Sequence, residues 1–136
     1  MKVHGSYAVK KWDEKPYDEI SPNSRLTKAS VEYLFSGEIE GKALVEYLMF
    51  YKHFDPADQH KSSAEYLGLI RFDGKLDGKP GSFVFDDHGT FDSGTASSAL
   101  RIVAGSGTGA LQGITGTGKY HANREGYSFE LDYNLP

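Results

Sequence analysis

The sequence predicts an all-β protein, with eight antiparallel strands closed into a barrel. Three observations lead there. Apolar residues alternate along most of the chain, Gly-containing turns recur between the alternating runs, and no segment carries an apolar stripe at helical spacing. Eight strands joined by short turns, with no obvious protection of a sheet edge, favour closure, because closing a sheet removes its edges. A two-sheet sandwich is the alternative, since periodicity alone does not separate the two.

The strand candidates are about 3–12, 25–39, 41–52, 63–73, 81–87, 96–104, 116–123 and 126–134. The first ends at Trp12, expected to plug one end of the barrel. It is followed by "WDEKPYDEISPNS", whose two prolines suggest an irregular crossing. The third contains "ALVEYLMFYK". One parity gives Ala43, Val45, Tyr47, Met49 and Tyr51, and the other gives Leu44, Glu46, Leu48, Phe50 and Lys52. So many aromatic and branched residues on both parities suit a strand buried on much of both faces. "EIEGKA", "DGKLDGKPG" and "REGYS" put Gly where a reversing chain needs positive φ.

The stretch between the sixth and seventh candidates, "GSGTGALQGITGTGKY" (105–120), half-matches two nucleotide signatures. Gly113, Gly118 and Lys119 imitate a phosphate-binding loop, but Tyr120 stands where Mg²⁺ would need a Ser or Thr hydroxyl. Gly105, Gly107 and Ala110 imitate a dinucleotide fingerprint. Both need a following helix, and "YHANREGYSFELDYNLP" alternates like two strands around a turn instead. The glycines are therefore read as shaping a bulge or tight turn near Ile114–Thr115, pinned by Leu111 and Ile114.

At 136 residues the chain is read as one domain, 1–136, large enough to bury a core. It has no Cys, which excludes disulfides, thiolate metal sites and a cysteine nucleophile. No basic stripe accompanies the net charge of −4, and Lys10 and Lys11 are followed by Asp13 and Glu14, so no nucleic-acid partner is expected. No apolar run suggests a signal segment or a membrane span, and a cytoplasmic protein is expected.

The Gly-rich stretch, with "WDEKPYDE" (12–19), "LTKASVEYLFSGEIEGKALVEYLMFY" (26–51), "GSFVFDDHGTFDSGTAS" (81–97) and "YSFELDYNL" (127–135), resembles a bacterial family of unknown function, DUF3224, over most of the chain. That resemblance implies an allene-oxide-cyclase-like barrel, lipocalin-like in shape, and no established activity. "GLIRF" departs from it, with Arg71 where an acidic residue would be expected.

Tyr33, Tyr47 and Tyr66 fall in successive strand candidates and, with Phe35, Phe83 and Phe85, could form an aromatic pocket. The ligand-binding candidates are Tyr33, Tyr47, Tyr66, Phe85 and Glu46. Glu46 interrupts an apolar strand, either as a polar anchor and general acid or base, or as a rim carboxylate paired with Arg71 or Arg101. His88 is the second catalytic candidate. The groups Asp86, Asp87, His88, Asp92 and Asp55, Asp58, His60 match no metal-ligand spacing, so neither a metal nor a cofactor is expected. Three functions follow. A barrel binding a small apolar or aromatic molecule comes first, an isomerase or cyclase acting on a lipid-like substrate second, and an oligomeric interaction module third. Homo-oligomerisation is expected with the first as well, through Leu44, Leu48 and Phe50.

Overall fold

The computed structural model describes residues 1–58 and 61–136. Eight antiparallel strands follow one another in chain order: β1 (Lys2–Ser21), β2 (Ser24–Gly37), β3 (Ile39–His53), β4 (Ser63–Leu76), β5 (Lys79–Asp92), β6 (Thr95–Ile102), β7 (Thr115–Asn123) and β8 (Gly126–Asn134). Each strand pairs with the next. The tightest reversals are Asp77–Gly78 and Ser93–Gly94, where all four residues have φ between 50° and 87°. Two consecutive positive φ values match the right-handed twist of the flanking strands.

The circuit returns on itself through β1 and β8, but over a short seam. Only Lys2–Gly5 pairs with Phe129–Asp132, and from Ser6 onward the paired register of β1 involves β2 alone. The expectation of a fully closed, edge-free barrel of the allene-oxide-cyclase type is corrected on this point. The sheet is sealed at one end of the seam and leaves most of β1 as an edge. Its long first strand explains the difference. The segment expected to be an irregular crossing continues β1 to Ser21, with register shifts between Val9 and Lys11 and between Pro16 and Asp18. Edges and bulges are where a sheet tolerates proline.

Strand parity sorts the side chains. On β3, Ala43, Val45, Tyr47 and Met49 are buried inside, whereas Leu44, Leu48 and Phe50 are exposed outside. The two-sided burial expected for this strand is thus corrected to one side. The apolar half of the interior holds Phe35, Phe72, Phe83, Phe85 and Phe129, which touch edge-on or tilted at centroid distances of 4.8 to 5.9 Å.

The Gly-rich stretch caps this end. Leu111, in a 3-10 turn (Gly109–Leu111), and Ile114 are fully buried. Thr108 and Ser106 bind the β5 backbone beyond the end of β6, through Ser82 N–H to Thr108 Oγ1 (3.1 Å) and Val84 N–H to Ser106 Oγ (3.0 Å). Close approach requires glycine here. A Cβ on Gly107 would lie 2.1 Å from the Leu111 carbonyl oxygen.

A tyrosine-floored cavity over a buried carboxylate

The other end of the interior is open, with a cavity of about 620 Å³. Its floor is built by one device used twice. Across the inward face, cross-strand register aligns Tyr47 on β3 with Gly68 on β4 and Asp87 on β5. One row further, Tyr66 on β4 aligns with Gly89 on β5 and Ser98 on β6. In each row the glycine leaves room for the ring to lie across it, so the hydroxyl reaches the strand beyond. A Cβ on Gly68 would meet the Tyr47 ring at 2.5 Å, and one on Gly89 would meet the Tyr66 hydroxyl at 2.5 Å. Tyr47 thereby donates to Asp87 Oδ2 (2.9 Å), and the Tyr66 hydroxyl meets Ser98 Oγ (2.6 Å).

Tyr33 and Tyr120 complete the array. The Tyr33 and Tyr47 hydroxyls are 3.0 Å apart. Tyr120 donates to Asp87 Oδ2 (3.0 Å) and lies 3.2 Å from the Tyr66 hydroxyl. Asp87 is 2% exposed, and its other oxygen, Oδ1, has no hydrogen-bond partner. A half-satisfied carboxylate in a buried site is expensive to ionise. Burial accordingly pushes the Asp87 carboxyl up to about 6, against the opposing pull of the nearby Ser98, Tyr47 and Tyr120 hydroxyls. Burial also raises the hydroxyls of Tyr33, Tyr47, Tyr66 and Tyr120 above the usual phenol range, so they remain protonated donors at neutral pH.

Above the floor, the mouth carries Trp12, Glu14, Tyr51 and Arg124. Trp12 is half-exposed at this rim, its ring 6.2 Å from that of Tyr47 and its indole N–H donating to Glu14 Oε1 (3.0 Å). Glu14 Oε2 accepts from Thr27 (2.6 Å) and Tyr51 (2.8 Å), which fixes the carboxylate at the edge of the cavity.

The structure brings together only part of the residue set expected from sequence. Tyr33, Tyr47 and Tyr66 line the cavity. Phe85 lies outside it, in the apolar half against Phe83 and Phe129. Glu46 has the outward parity of β3, and both its oxygens accept from Ser30 Oγ (2.9 and 2.8 Å), so it neither anchors a ligand in the cavity nor pairs with Arg71 or Arg101. Arg101 binds Asp86 instead, through Nε at 2.9 Å. His88 is exposed on the outer face of β5. Parity also divides the cluster around it, since Asp87 points inward while Asp86 and His88 do not. In the other cluster, Asp55 Oδ1 accepts from the backbone N–H groups of Ala57 and Asp58, and His60 lies outside the described residues. Asp87 and Tyr120 were missed as site residues. The signal for them was inward-facing Gly68 and Gly89 beside tyrosines, legible only once the register is known.

Two functional expectations are corrected by this geometry. The expectation of a closed barrel binding a small apolar or aromatic molecule is corrected, because the sheet seals over only four residue pairs of the β1–β8 seam and, beneath aromatic walls, the floor is four hydroxyls over a carboxylate. An isomerase or cyclase working through Glu46 or His88 does not fit either, because both side chains are outside the sheet.

Fold and site define an all-β protein whose antiparallel sheet wraps a polar-floored cavity. The chain belongs to the family described as protein of unknown function (DUF3224), whose model matches residues 3–133. It is similar to a solved protein of unknown function from that family, from Shewanella oneidensis MR-1, at 27% identity and a TM-score of 0.79, covering 100% of this chain and 98% of the other. No curated protein matches. Among the described residues, no helix is long and apolar enough to cross a membrane.

Proposed function

We propose that the cavity binds a small organic cation, an amine or quaternary ammonium compound. The observation that carries this reading is the arrangement around Asp87. Its Oδ2 takes the protons of Tyr47 and Tyr120, while Oδ1 takes none. Protons committed to the carboxylate leave hydroxyl lone pairs and aromatic faces toward a guest. Both attract positive charge, and ring faces do so most strongly where water is excluded. The rim carries both signs, Glu14 and Arg124, so selection for a cation falls to the floor. A cytoplasmic setting is part of the proposal, and cell fractionation tests it.

Calorimetric titration with choline and with its neutral isostere, 3,3-dimethylbutan-1-ol, tests the cation reading. Choline is expected to bind more tightly at pH 8 than at pH 5, because Asp87 with its pKa near 6 is charged only at the higher value. The isostere is expected to bind more weakly at pH 8. Equal binding of the two, or no binding of either choline or benzylammonium at millimolar concentration, would overturn the reading.

A further inference from the structure

The outer face of β3 and β4 carries a patch that the cavity does not use. Leu44 and Leu48 on β3 and Leu67 and Leu69 on β4 all point outward and are between 52% and 57% exposed. Cross-strand register makes them contiguous, with Leu48 opposite Leu67, and Leu44 and Leu69 on adjoining rows. Exposed leucines scattered singly need no explanation, but a cluster on one face does.

The charges bordering this cluster say what covers it. On β4 the outward residues run Glu65, Leu67, Leu69, Arg71, with an acid at one end, a base at the other and leucines between. At strand rise, Glu65 and Arg71 are about 20 Å apart. Such a row is complementary to its own reverse. When a second copy packs face to face about a two-fold axis running across the strands, its β4 is reversed. Leu67 then faces Leu69, and Glu65 faces Arg71 at both ends of the contact. The neighbouring strand follows, since Phe50 pairs with Glu65 and Leu44 with Arg71, so Phe50 of one copy covers Leu44 of the other. Glu46 does not obstruct this, because its carboxylate is turned onto Ser30 of β2. Arg71 has no ion-pair partner among the described residues, and Glu65 is held only by the exposed Lys52, at 3.3 Å. Both are free to exchange partners.

We infer that this face is the interface of a symmetric homodimer, formed by β3 and β4 of two copies of this chain. A two-fold contact uses the same patch on both subunits, so residue i meets j and j meets i, which is the pattern the Glu65–Arg71 row supplies. Face-to-face sheets pack with their strands within about 30° of alignment. That alignment keeps the two β4 rows in register over the four positions. The cavity opens at the end of the wrap rather than through this wall, so dimerisation leaves the mouth accessible.

Charge exchange tests the interface without relying on a variant that merely misfolds. Sedimentation analysis of the wild type across a concentration series is expected to give a dimer. Glu65→Arg places arginine against arginine at both ends and is expected to weaken dimerisation by about tenfold or more. Arg71→Glu is expected to do the same by placing two acids together. The double variant, Glu65→Arg with Arg71→Glu, restores opposite charges and is expected to recover the dimer. Circular dichroism of each variant checks that the sheet is intact. A wild type that stays monomeric at the highest concentration, a dimer indifferent to both single changes, or a double variant that remains monomeric while folded would each overturn the inference.

Discussion

Replacing Asp87 with Asn removes the charge while keeping the shape, and the consequence for stability depends on pH in a way the structure fixes. The carboxyl rises from 3.8 to about 6 on folding, chiefly through burial. A group whose pKa is raised by folding favours the folded state most where it is protonated. Its contribution is therefore complete below pH 3.8 and is lost as pH rises through 6. A shift of about two units corresponds to about 3 kcal/mol, at 1.36 kcal/mol per unit. The Asn carbonyl oxygen can still accept from Tyr47 and Tyr120, so the variant retains the main contacts without the buried charge. Urea denaturation of both proteins from pH 3.5 to 8 gives their difference in unfolding free energy. That difference should move by about 3 kcal/mol in favour of Asp87→Asn between the two ends of the series, mostly between pH 4 and 6. Other titrating groups cancel in the difference. A flat difference, or one moving in favour of the wild type as pH rises, would mean that Asp87 is not held as a buried carboxyl.

Three further outcomes follow from the same geometry. Gly89→Ala should lower thermal stability by about 1–3 kcal/mol through overpacking, since its Cβ would lie 2.4 Å from Ser98 Oγ, and a melting temperature equal to the wild type would contradict the packing described. Tyr47→Phe deletes a donor to Asp87 Oδ2 and should raise that carboxyl further, moving the pH window of the denaturation series upward; an unmoved or lowered window would count against the hydrogen bond. Leu111→Ala empties a fully buried position under the Gly-rich cap and should cost about 2–5 kcal/mol in the same assay, whereas a loss below about 0.5 kcal/mol would mean that the cap is not packed.

The alternation of "ALVEYLMFYK" made β3 legible as a strand, and the turns around Gly78 and Gly126 were legible from their residue types. The extent of β1 was not. Of its two prolines, Pro22 falls where the strand does end, but Pro16 lies within it, and only the position of β1 at an edge of the sheet lets residues 12–21 continue as one strand. The direction in which each face points was also hidden. Leucines occupy the outer parity of β3 and tyrosine the inner, which reverses the simplest reading of Glu46 as the polar group at the pocket. Tyr33, Tyr47 and Tyr66 could be picked out as successive aromatic positions. Asp87 could not, because among Asp86, His88 and Asp92 it looks like one more turn acid until parity turns it inward. The Gly-rich stretch was legible as a structural element, since the residues after it alternate as strands and leave no helix to face a phosphate.

The pKa of Asp87, followed through its side-chain carboxyl carbon by NMR with and without choline, probes both the buried carboxylate and the cation site in one titration. The carboxyl is expected at about 6 in the free protein, moving lower when the cation occupies the cavity. A value near 3.8 would contradict the burial of the carboxylate, and a value of about 6 unmoved by saturating choline would contradict the cation site.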